Sequence, residues 1–366
     1  IRGAGVDGGE VLRPGLPDLG MFPRATWRRS YERALAAASD ADLAYGDPAG
    51  APRLRAELAG YLGRVRAARL DGPEHLVVTT GAAQAFALVA QALRDHGVTA
   101  IGLEDPGSPG IRGHLEAHGL RLEPVPVDAD GLDVAALERT SLRAVFVTPA
   151  HQFPTGVVLA PHRRAALVDW ARRTGGLVVE DDYDAEFRYD RDPVGCLQGL
   201  APDAVAYLGS VSKALAPALR LGWLAVPADH RAAVHARKAA ADLGGPVLEQ
   251  LAFADLLATG GYDRHLRRAR RAHRQRRDAL VAALARHLPG VRVGGVAAGL
   301  HLVVELPDGV DDVTVAARAH DAGLSPLPLS STRLGEPGQP GLILGYAGQT
   351  PDRLAGAVQR LAALVA

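Results

Sequence analysis

Cysteine is nearly absent from this chain: of 366 residues, only Cys196 carries a thiol. A single cysteine excludes an internal disulfide framework and any zinc site built on several thiolates. A reducing cytoplasm is the compartment expected. An excess of charge is missing too. Lys plus Arg equals Asp plus Glu at 41 each, so no overall field draws nucleic acid, an anionic membrane or an acidic substrate. No apolar run reaches the roughly 18 to 20 residues of a membrane span. No signal peptide opens the sequence, and internal repeats and low-complexity tracts are lacking.

What is there is a composition suited to a sizeable core, 48% hydrophobic and 22% charged. The length predicts one large and one smaller lobe. Residues 1–10, IRGAGVDGGE, start on Ile and carry glycine without periodicity, so they read as linker from the middle of a longer gene product. From about residue 75 to 226, seven apolar runs alternate with amphipathic stretches: HLVVTT, VTAIGLE, LRLEPVPV, RAVFVTP, GLVVEDD, AVAYLGS and LGWLAVP. Val, Ile and Leu crowd these runs without polar alternation, as in strands buried on both faces. The segments between them, such as AAQAFALVAQALRDHG and PHRRAALVDWARRTGG, have helical spacing and end in Gly. The fold class predicted is α/β, with a mostly parallel seven-stranded sheet flanked by helices. Ligands of such sheets collect at the carboxyl ends of the strands. After about residue 245 the pattern changes: a helical region at 247–288, LHLVVEL, a helix near 312–322, LILGYA and a helix near 351–364 predict a smaller α+β lobe. The arginine-dense stretch 264–277 suits an acidic or nucleic-acid partner. The favoured reading is a solvated helix face whose arginine stems cover apolar surface.

Three elements carry chemistry. Gly209-Ser210-Val211-Ser212-Lys213 follows a strand, and Arg220 comes seven residues after the lysine. A lysine among small residues can approach a flat cofactor and form an imine with its aldehyde. Ser210, Ser212 and Arg220 would hold a phosphate on the same ligand. Second, Glu180-Asp181-Asp182-Tyr183-Asp184 closes the strand GLVV, and such a crowd of carboxylates needs a compensating cation or ligand proton. A pyridinium nitrogen provides it, and an aspartate there keeps the ring an electron sink. A metal site or a helix cap are the alternatives. No metal is expected, since no histidine lies at a ligand-like spacing beside the acids. Third, Thr80-Gly81-Ala82-Ala83-Gln84 joins a strand to a helix, and small residues there let backbone N–H groups meet a phosphate.

In this order and spacing, the three elements resemble the fold-type I pyridoxal-phosphate enzymes, the aspartate aminotransferase superfamily. RPGLPDLGMFPRATWRR near the start, YGDPAGAPRLRAELAGYL at 45–62, TPAHQFPTG at 148–156 and EDDYDAEFRY at 180–189 narrow the resemblance. They are similar to the aminotransferase-like effector domain of MocR-type regulators in the GntR superfamily. The resemblance implies that Lys213 holds pyridoxal 5'-phosphate as a Schiff base, that Asp181 pairs with the pyridine nitrogen, and that Tyr183 bonds the ring's phenolic oxygen. It implies that Ser210, Ser212, Arg220 and the backbone at Ala82 and Ala83 hold the phosphate. Tyr45 would reach the neighbouring subunit's phosphate, which implies a homodimer. Residues 11–45 then form a segment packing on the lobes and the dimer partner, 46–245 the large cofactor domain and 246–366 the small one. DNA would be met only through a fused N-terminal domain.

Three positions depart from ordinary aminotransferases. Phe153 stands where an asparagine touches the ring oxygen, an exchange typical of MocR domains. Ser108 replaces a stacking aromatic, a loss of roughly 0.5–1.5 kcal/mol. Ile343 stands near the arginine that clamps a substrate's α-carboxylate, for which Arg333, Arg112 or His151 are candidate substitutes. The preferred expectation is a sensor of an amine or amino acid that acts by imine exchange at Lys213. The alternative is a free-standing aminotransferase working by ping-pong transamination, and a third is a scaffold that no longer binds cofactor.

Overall fold

The computed structural model describes residues 11–189, 194–295 and 297–365, so the linker expected at 1–10 lies outside the described residues. All seven apolar runs form strands: β1 Leu76–Thr79, β2 Ala100–Asp105, β3 Arg121–Asp128, β5 Ala144–Val147, β6 Leu177–Asp182, β7 Val205–Ser210 and β8 Gly222–Ala225. The sheet nonetheless has eight strands, because β4, Gly131–Leu132, pairs antiparallel with the end of β3. Two residues are too few to leave a hydrophobic pattern, so the expected seven becomes eight. The order is β1-β8-β7-β6-β5-β2-β3-β4, with β3, β2, β5, β6 and β7 mutually parallel. Every residue of β1, β5, β6, β7 and β8 is buried, as the unbroken apolar runs require. Helices Ala82–Asp95 and Pro161–Thr174 cover the sheet, the second closed by Gly175 in the left-handed conformation.

The register positions the site. Strand β8 runs antiparallel to both neighbours, pairing Gly222 with Thr79 on one side and with Ser210 on the other. Thr79 and Ser210 are the last residues of β1 and β7, so both strands end at the edge where β8 begins. The turn Thr80–Gly81, the loop after Ser210 and Arg220 before β8 are therefore neighbours in space. Strand β6 delivers Asp181 and Asp182 to the same edge two places along.

A second sheet, β11-β12-β10-β9, is wholly antiparallel: β9 Arg292–Gly294, β10 His301–Glu305, β11 Leu327–Pro328 and β12 Gly341–Gly345. Leu280, Leu284, Leu342, Leu344, Leu354 and Val358 form the core between it and helices Gly261–His287 and Pro351–Val365. The helical region expected at 247–288 is two helices, Val247–Ala258 and Gly261–His287, parted at Gly260 with φ +66°. In the arginine-dense stretch, Leu266, Ala269 and His273 are buried, and Arg268, Arg270 and Arg276 donate to the carbonyls of Met21, Glu186 and Ala347. Those arginines tether the helix to its neighbours.

The N-terminal segment crosses the end of β12. Val11 bridges Leu324, Gly345 N–H donates to the Leu12 carbonyl at 2.8 Å, and Leu12 takes the left-handed φ of +71°. A Cβ on Gly345 would stand 1.9 Å from the Arg13 carbonyl, so only glycine admits this crossing.

Candidate functional site

A cavity of about 700 Å³ opens at the carboxyl edge of the large sheet. Its walls include Ala82, Ala83, Ser108, Asp181, Tyr183, Ser210, Ser212, Lys213 and Arg220, which the sequence nominated from separate segments. The chain has two lysines, Lys213 and Lys238. Lys238 is fully buried and bonded to Asp242 at 2.5 Å, which leaves Lys213 for covalent chemistry. Burial lowers the Lys213 pKa; Asp184 and Asp181 push it back up, and Arg13 pushes it down. A shift in that direction favours the neutral, nucleophilic amine. The Lys213 ammonium nitrogen donates to the Gly15 carbonyl at 2.5 Å, and His265 Nε2 donates to Ala214 O at 2.7 Å, fixing the turn from behind.

The residues fit a phosphate. Helix Ala82–Asp95 starts at Gly81, φ +87°, with no side-chain cap. Its first N–H groups face the cavity at the positive end of the helix. A Cβ on Gly81 would lie 2.6 Å from an Arg220 terminal nitrogen, so glycine is what lets the guanidinium reach this turn. Arg220 donates to Thr80 O at 2.7 Å and itself holds a left-handed φ of +47°, strain of the kind kept where a side chain must be aimed.

The acidic run is resolved partner by partner. Glu180 accepts from the amides of Leu197 and Gln198, and Asp182 accepts two bonds from Arg66, at 2.6 and 3.0 Å, and one from Tyr207 at 2.5 Å. Asp184 meets His151 Nδ1 at 3.0 Å. Asp181 is the carboxylate of the four that lines the cavity. Burial, then Asp182, raises its pKa to about 8, with Lys213 pulling the other way. A protonated ring nitrogen would relieve that unfavourable position.

His151 lies behind the cavity wall, 3.1 Å from the Tyr183 hydroxyl. It does not line the cavity itself and meets it through the Tyr183 hydroxyl. His301 packs on it with ring centroids 5.2 Å apart, so two histidines flank the acids after all, brought by folding from other segments. Ligand atoms of His151, Asp184 and His301 lie within 4.8 Å of one another. They are engaged in bonds to one another or, for His301 Nε2, to Pro154 O at 3.2 Å. Burial, then His151, lowers the His301 pKa to about 4, so it is neutral at pH 7.

Of the proposed substitutes for the clamp, Arg112 is spent on the carbonyls of Arg333, Gly107 and Thr332, and neither Arg112 nor Arg333 lines the cavity. Ile343 is buried with Val303 and Leu329. Ser108 reaches the cavity without an aromatic ring, while Phe86, His114 and Phe153 line it nearby. Tyr45 is not among the residues lining this cavity and is 90% exposed. Sequence reasoning missed Arg13, Gly15, His114 and His320 as cavity residues. Nothing in the segment RPGLPD tells where its arginine points.

Solved structures with this architecture are pyridoxal-phosphate enzymes of fold type I. LysN, an alpha-aminoadipate aminotransferase from Thermus thermophilus complexed with N-(5'-phosphopyridoxyl)-L-leucine, is 28% identical and superposes with a TM-score of 0.87, covering 98% of this chain and 92% of that one. A kynurenine aminotransferase from Pyrococcus horikoshii is 26% identical, with a TM-score of 0.89 over 98% and 91% of the two chains. The chain belongs to the aminotransferase class I and II family, whose profile matches residues 19–327, and its relatives include both regulators of the MocR and GntR type and aminotransferases. The probable rhizopine catabolism regulatory protein MocR of Rhizobium meliloti is 34% identical over 94% of this chain and 70% of that protein. The pyridoxine biosynthesis regulator PdxR of Corynebacterium glutamicum is 33% identical over 94% and 73%. A 2-aminoadipate transaminase of Thermus thermophilus is 31% identical over 95% and 87%. The family's cofactor is pyridoxal 5'-phosphate, and no helix among the described residues is long and apolar enough to cross a membrane.

Proposed function

We propose that this chain is the effector-sensing domain of a cytoplasmic transcription regulator: it binds pyridoxal phosphate through Lys213 and recognises an amine or amino acid at the same site. Ser210, Ser212, Arg220 and the amides of Ala82 and Ala83 hold the phosphate, Asp181 the ring nitrogen and Tyr183 the phenolic oxygen. Bound there, the cofactor supplies an aldehyde that captures primary amines and a ring that takes up electrons. Lys213, whose amine burial makes easier to deprotonate, would take and return a proton at its Nζ. The Asp184–His151 pair fixes the Tyr183 hydroxyl.

The observation that carries the reading is the refitted strand β12. The position near which aminotransferases place the α-carboxylate arginine is Ile343, packed into the core of the small sheet. The residues suited to the cofactor are present, while this strand offers no arginine to clamp a substrate's α-carboxylate. We further propose a homodimer, supported by the exposure of the large side chains Leu43 and Tyr45, the latter 90% exposed, which a second subunit would cover. In the parent protein the effector would bias the arrangement of tethered DNA-binding domains by its unequal affinity for two arrangements.

The test titrates the cofactor-loaded chain with amines and amino acids, with and without a keto-acid acceptor. The expected result is a saturating change in visible absorbance, stoichiometric with the sites and without accumulating keto product, on a particle that sediments as a dimer. Continuous product formation would instead make it an aminotransferase, and a monomer at micromolar concentration would remove Tyr45 from the site.

A further inference from the structure

A second cavity, of about 440 Å³, shares no lining residue with the first. It lies where the end of helix Pro52–Arg66 meets helix Gly261–His287 and the chain just beyond β6. Four guanidinium groups line it, Arg64 and Arg66 from one helix and Arg267 and Arg270 from the other. Arg66 is 3% exposed and gives Nε and Nη2 to Asp182, which leaves Nη1 without a hydrogen bond among the described residues. Arg270 is anchored through Nε on the Glu186 carbonyl, and its two terminal nitrogens are unbonded among the described residues. Arg64 makes one long bond, 3.3 Å, to the Gly60 carbonyl of its own helix. The exposed arginines of a solvated face need no common target, whereas these share a space with a buried one.

The acids of the wall do not use up this charge. Asp263 offsets one guanidinium and Asp182 another. The Glu186 carboxyl is buried and accepts only from its own backbone N–H among the described residues; burial, then Asp182, raises its pKa to about 7. An acid so readily protonated tolerates an anion beside it. Tyr61, Val65 and Leu266 give the cavity an apolar side.

We propose that this cavity is a second ligand site, for a small organic phosphate: a monoester whose oxygens meet Arg66, Arg267 and Arg270 and whose carbon body lies on Tyr61, Val65 and Leu266. The doubly charged monoester matches the surplus of guanidinium over carboxylate, and guanidinium forks suit its oxygens. Arg66 also holds Asp182, the neighbour of Asp181, so the residue that touches this phosphate is bonded to the strand end lining the first cavity.

The test is calorimetry at pH 8 with phenyl phosphate as probe. The protein carries cofactor fixed by borohydride, confirmed by mass and freed of excess, so the first phosphate cup is filled. One saturable site per chain is expected below about 1 mM. Phenylacetate, with a similar body and a single carboxylate, should bind at least about 10-fold more weakly. Arg267→Gln, at an exposed position, should weaken phenyl phosphate about 10-fold. Glu186→Gln removes a carboxylate beside the anion and should tighten it. Arg274→Gln, an exposed arginine of the same helix outside the cavity, should change nothing. No saturation by about 10 mM, equal binding of phenylacetate, or a weakening in Glu186→Gln overturns the assignment. So does an Arg267→Gln affinity equal to that of wild type or of Arg274→Gln, which would reduce the effect to the general charge of the helix.

Discussion

Arg66→Met will destabilise the folded chain by about 3–5 kcal/mol, the cost of leaving a buried charge without its partner. Arg66 is 3% exposed and Asp182 7%, and the guanidinium meets the carboxylate through two nitrogens. With Arg66 gone, Asp182 keeps Tyr207 alone, and its charge already bears on Glu180 and Asp181 next to it. Urea unfolding of the cofactor-free protein measures the effect. Adding Asp182→Asn to Arg66→Met removes the stranded charge and should recover most of the loss. A single variant within about 1 kcal/mol of wild type would mean that the acidic strand end does not depend on this pair.

Asp181→Asn has the second large effect, and its sign differs with and without cofactor. Losing a charge-assisted bond of about 1.5–3 kcal/mol weakens pyridoxal phosphate binding roughly 10- to 150-fold. In the cofactor-free chain the same change is favourable. The folded Asp181 has its pKa raised from 3.8 to about 8, chiefly by burial. The unfolded chain therefore releases this proton first. The stability tied to it is complete below pH 3.8 and lost as pH climbs toward 8. Within that window the slope contributed is about 1.4 kcal/mol per pH unit. The Asn variant should lose stability with rising pH less steeply by about one proton, read from unfolding midpoints between pH 5 and 7. Parallel pH profiles for the two proteins would contradict the placement of Asp181.

What the sequence disclosed here follows from how local each signal is. Unbroken Val, Ile and Leu runs disclose buried parallel strands, and small residues flanking Lys213 and Gly81 mark strand ends open to a ligand. Those features need no knowledge of distant contacts. Strand β4 escaped because two residues cannot carry a period. From sequence, the acidic run is a crowd of carboxylates in need of one compensating cation or ligand proton. Arg66 and the amides of Leu197 and Gln198 satisfy two of them instead, and no local pattern announces partners drawn from other segments. The same holds for His151 and His301 around Asp184. Arg13 was hardest of all, since its aim depends on a bare glycine at the far end of the chain.

The central claim, that Lys213 carries the cofactor, has a direct test because the chain offers only two lysines. The protein would be mixed with pyridoxal phosphate, reduced with borohydride, digested and weighed by mass spectrometry. One phosphopyridoxyl group on the Lys213 peptide, absent in Lys213→Ala, is the result predicted. Label on Lys238 instead, or none on either lysine at saturating cofactor, would contradict the account.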